Sequence, residues 1–131
     1  MNKDVRVRRL SASEALSHID ELADVLIDCV EGGASVSFML PLRRTTAMRF
    51  WHDVIEDVAQ DRRALLVAED QEKRINGTVQ IITAMPENQP HRADVAKLLV
   101  RRSARRAGIG QMLMQGVEAL AARLGHHLVE P

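Results

Sequence analysis

Aromatic residues and cysteine are scarce in this chain of 131 residues. It has no tyrosine, and its only aromatic residues are Trp51, Phe38 and Phe50. A folded core must therefore be aliphatic, and no phenol is available for acid or base chemistry. Cys29 is the only cysteine, which excludes an internal disulfide bond and a metal site built from several cysteines.

Net charge is also lacking, because 18 Lys and Arg residues balance 18 Asp and Glu residues. This balance excludes a protein coated with basic side chains for nucleic acid, although it leaves room for a local basic patch. No apolar run approaches the roughly 20 residues that cross a bilayer, and the amino terminus is charged where a signal peptide would be apolar. We therefore expect a cytoplasmic protein.

The composition that remains is typical of a globular protein, with 46% hydrophobic and 27% charged residues. The length matches one ordinary domain, so we expect residues 1–131 to form a single domain. Hydrophobic periodicity predicts the element order β-α-α-β-β-β-α-β, an α/β or α+β domain. The predicted strands cover residues 5–10, 63–69, 75–85, 93–100 and 126–129, and the predicted helices cover 11–31, 44–59 and 108–124.

The chemically informative segment runs from Leu98 to Gln111: an apolar strand, a loop with arginines at 101, 102, 105 and 106, and a helix start. Glycines at 108 and 110 carry no Cβ, so the backbone there can approach a ligand closely. The first turn of a helix leaves amide N–H groups unpaired and carries a partial positive charge. Together these features predict a cradle for phosphate oxygens, with direct contacts from all four arginines.

Two common phosphate loops do not fit this segment. The dinucleotide pattern needs a third glycine where this chain has Leu113, and the P-loop needs a lysine where it has Gln111. Taken alone, the pattern is also compatible with a solvated basic turn at the start of a helix.

The pattern Arg105-x-x-Gly108-x-Gly110 after an apolar strand resembles the acetyl-coenzyme A motif of the GNAT N-acetyltransferase superfamily, Gln/Arg-x-x-Gly-x-Gly/Ala. The segments 31–39 and 92–98 are similar to the branch that contains the tabtoxin-resistance acetyltransferase. The resemblance covers residues 5–128. It implies a GNAT-like mixed central sheet with helices on both faces. It also implies an incomplete, C-terminally truncated domain, since GNAT domains continue through a full fifth strand, a helix and a closing strand pair.

The resemblance implies transfer of an acetyl group from acetyl-coenzyme A to the amine of a small molecule, without a metal. Asp94 lies where this branch places an acidic residue near the amine, so it is a candidate general base or else a surface carboxylate. Gly33, Ser35 and Phe38 belong to a candidate wall of the acceptor pocket, or to a plain connection between helices. The residues implied to bind the coenzyme are Leu98, Leu99, Val100, Arg105, Arg106, Ala107, Gly108, Ile109, Gly110 and Gln111.

Two other functions remain open at this point. One is a relative that binds coenzyme A without turnover, and the other is a nucleic-acid binder that uses the 101–106 cluster. Zero net charge and the scarcity of aromatic residues for base stacking argue against nucleic acid. A truncated domain would leave a sheet edge and an apolar helix face uncovered, so we expect self-association as a homodimer.

Overall fold

A computed structural model describes residues 4–33, 41–83 and 92–129 of the chain. Its strands and helices follow the predicted order, with one extra helix near the amino terminus. In chain order they are β1 (Arg6–Leu10), α1 (Ala12–Ser17), α2 (Ile19–Glu31), α3 (Arg44–Ala59), β2 (Arg63–Glu69), β3 (Ile75–Ile82), β4 (Arg92–Val100), a single 3-10 turn (Arg102–Ala104), α4 (Ile109–Leu124) and β5 (His127–Val129).

The strands form one sheet in the order β1-β2-β3-β4-β5. The first four strands are antiparallel neighbours, which confirms the predicted hairpin between β2 and β3. β5 runs parallel to β4, because the chain crosses over through α4 between these two strands. The sheet is therefore mixed.

Helices cover both faces of this sheet, and β2 shows why. Leu65 and Val67 belong to the core beneath α1, α2 and α3, whereas Ala64 and Leu66 belong to the core beneath α4. Successive side chains of a strand point to opposite faces, so a strand buried on both faces is a continuous apolar run. The predicted α+β arrangement with helices on both faces is confirmed.

The first predicted helix is the exception. Ser11 and Glu14 form the predicted capping box: the Glu14 amide donates to Ser11 Oγ, and the Ser11 amide donates to the Glu14 carboxylate. The prediction of one uninterrupted helix is wrong, because α1 ends at Ser17 and α2 begins after His18. Apolar spacing continues across this break, so periodicity alone does not reveal it.

Close packing of α4 on the sheet explains a glycine inside that helix. A Cβ built at Gly116 would lie only 2.9 Å from Val7 Cγ1. Gly116 therefore lets α4 approach β1, at the cost of a poor helix former in mid-helix. Within the described ranges, no helix is long and apolar enough to cross a membrane.

Candidate functional site

A β-bulge interrupts β4 at its pairing with β3. Gln80 pairs with Ala96 and Thr78 pairs with Leu99, so two residues of β4 stand opposite one residue of β3. Lys97, within this bulge, adopts a φ of 54° in the left-handed region that non-glycine residues rarely use. A bulge inserts one extra residue and bends its strand, so β4 changes direction here.

The bulge also exchanges the two faces of β4. Before it, Ala93 and Val95 pack into the core beneath α4. After it, Leu99 packs into the core on the opposite face, and Leu98 is left 42% exposed. An uninterrupted strand would place residues 93, 95 and 99 on one face. The adjacent pair Leu98-Leu99, which breaks the alternation, was the available sequence signal.

The pairing between β4 and β5 ends just before this bulge. β5 pairs only with Arg92, Ala93 and Asp94. From Val95 to Val100, β4 has no strand on this side in the described part of the chain. This part of β4 is an open sheet edge in the middle of the molecule, where an extended ligand can lie as an added strand would.

A cleft of about 430 Å³ lies at the end of this open edge, between β4 and the start of α4. It brings together most of the residues predicted to bind the coenzyme, and it adds Ala104. Its lining is Leu98, Val100, Ala104, Arg105, Arg106, Gly108, Ile109 and Gly110.

Three of the predicted coenzyme residues do not line the cleft. Leu99 is 2% exposed and its side chain lies in the core, so only its backbone is available to a ligand. Ala107 is half-buried against the core beneath α4, and Gln111 is an exposed residue in the first turn of that helix. The amides of Ala107 and Gln111 still belong to the segment that bounds the cleft.

The start of α4 supplies the predicted cradle. Gly108 caps the helix with a φ of 77°, and its carbonyl accepts from Met112 N at 3.0 Å. Among the described residues, nothing accepts from the amides of Ile109, Gly110 and Gln111. A Cβ at Gly108 would meet no atom within 4 Å, so the space above these donors is open. Unpaired amides at a helix start with open space above them fit the phosphate groups of a coenzyme.

The four arginines of the loop divide into two pairs. Arg101 is buried, and its Nε donates to the Ile75 carbonyl at 2.7 Å. Arg102 forms an ion pair with Asp28 at 3.1 Å. Arg105 and Arg106 are exposed and line the cleft. The expectation that all four contact phosphate is therefore corrected to Arg105 and Arg106.

The last turn of α2 holds the other side of this loop. Asp28 accepts from the Arg102 backbone amide at 2.8 Å and from its Nε at 3.1 Å. Burial opposes ionisation of Asp28, but these bonds from Arg102 outweigh it and lower the pKa of the carboxyl below its usual value. A Cβ at Gly32 would lie 2.6 Å from Arg102 Cδ, so the loop packs directly on the helix end. Nothing in the sequence pattern pairs residues 28 and 102.

Cys29 lies in the same turn and points at the open strand. Its Sγ donates to the Val100 carbonyl at 3.3 Å, and its side chain is 1% exposed. Burial raises the pKa of the thiol, and the nearby Asp28 carboxylate raises it further. The thiol is therefore protonated at neutral pH and acts as a structural donor.

Of the predicted acceptor residues, Asp94 lies on the other side of the bulge. Asp94 is the last residue of β4 that pairs with β5, and its side chain is 33% exposed. Arg92 Nε donates to its carboxylate at 2.9 Å. Gly33 is exposed at the end of α2 with a φ of 90°, whereas Ser35 and Phe38 lie outside the described residues.

Comparison with known proteins identifies the fold and the family of this chain. Residues 33–130 match the model of the acetyltransferase (GNAT) family. A GCN5-related N-acetyltransferase from Kribbella flavida superposes with a TM-score of 0.75 at 19% identity, covering 96% of this chain and 70% of that one. An aminoglycoside acetyltransferase from an uncultured soil metagenomic sample, in complex with trehalose, gives 0.73 at 17% identity, covering 99% and 78%.

A third structure, a GCN5-related N-acetyltransferase from Ralstonia eutropha JMP134, gives a TM-score of 0.65 at 19% identity and covers 97% of this chain and 82% of its own. At such identities the structures establish the fold, and the family match covers most of the chain. The chain belongs to the GNAT family of acetyltransferases. Membership in this family implies the use of acetyl-coenzyme A.

Proposed function

We propose that this protein transfers an acetyl group from acetyl-coenzyme A to the primary amine of a small molecule. The proposal is supported by the way that two features of the fold meet at one site. The unpaired amides that open α4 meet the open edge of β4, which has no neighbouring strand in the described part of the chain, in one cleft, and Asp94 lies where that edge begins. One end of this arrangement suits phosphate groups, and the other presents a carboxylate to an amine.

The residues at the start of α4 would hold the coenzyme. The amides of residues 106–111 donate to the pyrophosphate, and the exposed Arg105 and Arg106 supply positive charge beside it. The backbone of Leu98, Leu99 and Val100 along the open edge would bond the pantetheine arm. Cys29 Sγ donates to the carbonyl of Val100 and so helps to hold this end of the edge in position.

Acetyl-coenzyme A, when bound, supplies an activated acetyl thioester. Asp94 would accept the proton of the attacking amine, either directly or through water, as the new carbon–nitrogen bond forms. The carbon–sulfur bond would then break, and coenzyme A would leave as its thiolate and take a proton from water. Arg92 orients that carboxylate through the 2.9 Å bond from its Nε. A backbone N–H of the open edge of β4 stabilises the negative charge that develops on the carbonyl oxygen. Positioning of the two reactants supplies much of the remaining rate enhancement.

The acceptor we propose is a small-molecule amine. The aminoglycoside acetyltransferase among the similar structures, and the resemblance of residues 31–39 and 92–98 to the tabtoxin-resistance branch, support this choice. The acceptor wall that includes Gly33, Ser35 and Phe38 is part of the proposal, and so is the homodimer.

Two measurements test the proposed function. Titration calorimetry with coenzyme A should give one site per chain, and a steady-state assay with acetyl-coenzyme A and a panel of primary amines should release free coenzyme A. Absence of coenzyme A binding would contradict the cradle. Binding without acetylation of any amine would instead favour a module that holds the coenzyme without turnover.

A further inference from the structure

A buried side-chain amide lies on the acceptor side of the sheet and has an unused donor. Gln80, in β3, is 0% exposed. Its Oε1 accepts a 2.6 Å hydrogen bond from Arg63 Nη1. Its Nε2 is buried and has no hydrogen-bond partner among the described residues. Buried polar atoms are nearly always paired, so an unpaired donor in this position calls for an explanation.

The orientation of this amide is fixed by its neighbours. A guanidinium group can only donate, so the atom of Gln80 that faces Arg63 must be the oxygen. Arg63 is held in turn by Asp57, whose Oδ2 accepts from Nε at 3.3 Å and from Nη2 at 3.1 Å. This network joins α3, β2 and β3. It keeps the NH2 group of Gln80 directed away from Arg63.

Strand register places that amide beside the proposed base. Gln80 pairs with Ala96, so the two side chains share a face of the sheet. Asp94 lies two residues before Ala96 on the same face, which makes it the diagonal neighbour of Gln80 at about 7–8 Å. Ala96 is half-buried and carries only a methyl group, so no bulky side chain of β4 stands between the carboxylate and the amide.

We infer that Gln80 is a specificity-determining residue that donates a hydrogen bond to an oxygen of the acceptor. This inference rests on the proposed function. An amine held at Asp94 would bring such an oxygen over Ala96 to Gln80 Nε2 when the oxygen lies two or three bonds from the amine nitrogen. The substrate class is therefore amines with a neighbouring hydroxyl or carbonyl group. A site built to donate to a substrate oxygen rejects the analogue that lacks it, because the donor is then left unpaired.

The variant Gln80→Met tests this role. Methionine has nearly the same length and volume and removes both donors of the amide. The matched control is Thr78→Val on the same strand and face. Thr78 is also 0% exposed with an unpartnered Oγ1, but it pairs with the buried Leu99 and not with the half-buried Ala96. Both variants remove a buried donor that has no partner among the described residues and keep the side-chain shape, and Gln80→Met also removes the oxygen that accepts from Arg63.

The readout is a ratio of kcat/KM values for pairs of amines of equal shape, ethanolamine against propylamine and glycinamide against isobutylamine. We expect the wild type to prefer the oxygen-bearing member of each pair, and Gln80→Met to lower this preference about tenfold. We expect Thr78→Val to leave the preference unchanged. If a variant only reduced the amount of folded protein, the rates for both amines of a pair would fall equally, and the ratio of their kcat/KM values would stay the same.

Three results would overturn the inference. One is a wild type that shows no preference within either pair, and another is a preference that survives Gln80→Met. The third is a wild type that acetylates other primary amines of the panel but none of these four. Failure of the proposed function is distinguishable, because the wild type then acetylates no amine of the whole panel or does not bind coenzyme A.

Discussion

Replacement of Gly108 by alanine is the sharpest test of the coenzyme cradle, because the chain contains its own control. Gly108 precedes α4 with a φ of 77° and a ψ of 12°, and Gly125 follows the same helix with a φ of 73° and a ψ of 25°. At both positions an added Cβ would meet no atom within 4 Å. The two substitutions therefore impose the same left-handed strain on alanine, about 1 kcal/mol each, and no internal clash.

Equal strain predicts equal losses of stability. For a domain of this size we expect the melting temperature to fall by roughly 4 °C in each variant, measured by calorimetry. Coenzyme affinity should differ. The new methyl group of Gly108→Ala stands in the open space of the cleft, where phosphate must approach the amides, so we expect Kd for coenzyme A to rise about tenfold. Gly125→Ala should bind as the wild type does.

Gly110→Ala is a third variant for the same comparison of stability and coenzyme A affinity. Its Cβ would meet only Val100 Cγ2, at 4.0 Å, and alanine is a better helix former than glycine. We therefore expect this variant to be slightly more stable than the wild type and to bind coenzyme A more weakly. Equal coenzyme A affinity in Gly108→Ala and Gly125→Ala would refute the assignment of the cradle, whatever their stabilities.

Three further predictions concern other parts of the site. Asp94→Asn should lower turnover and flatten its rise with pH while coenzyme A affinity holds; an unaltered pH–rate profile would leave Asp94 a surface carboxylate. Asp28→Asn should weaken coenzyme A binding several-fold. The control is Asp24→Asn on the same helix, which removes an exposed ion pair and should leave coenzyme A binding unchanged. Because the folded-state pKa of Asp28 is lowered, its contribution to stability is present above its unfolded pKa and should fade as pH falls through its folded pKa. Gly116→Ala should destabilise the fold by roughly 1–3 kcal/mol without changing coenzyme A affinity, since its Cβ would contact Val7; unchanged thermal stability would contradict that packing.

Most of the fold could be predicted from local patterns in the sequence. Hydrophobic spacing predicted α3 and the hairpin of β2 and β3, because one buried stripe or face leaves a direct trace in the order of residues. Gly108 and Gly125 marked both ends of α4, because their left-handed backbone is a local requirement that glycine meets. The break at His18 left no such trace.

The sequence by itself determined the order of the strands, the ends of α3 and α4, and the candidate cradle, since each depends on neighbours a few residues apart. Only the tertiary structure decided which side chains and backbone groups are available to contact a ligand. Arg101 and Arg102 are as basic as Arg105 and Arg106, but the first pair is occupied by Ile75 and Asp28. The unused donor of Gln80 and the open edge of β4 likewise depend on pairings between distant residues. Such pairings are set by strand register and helix packing, which no local pattern specifies.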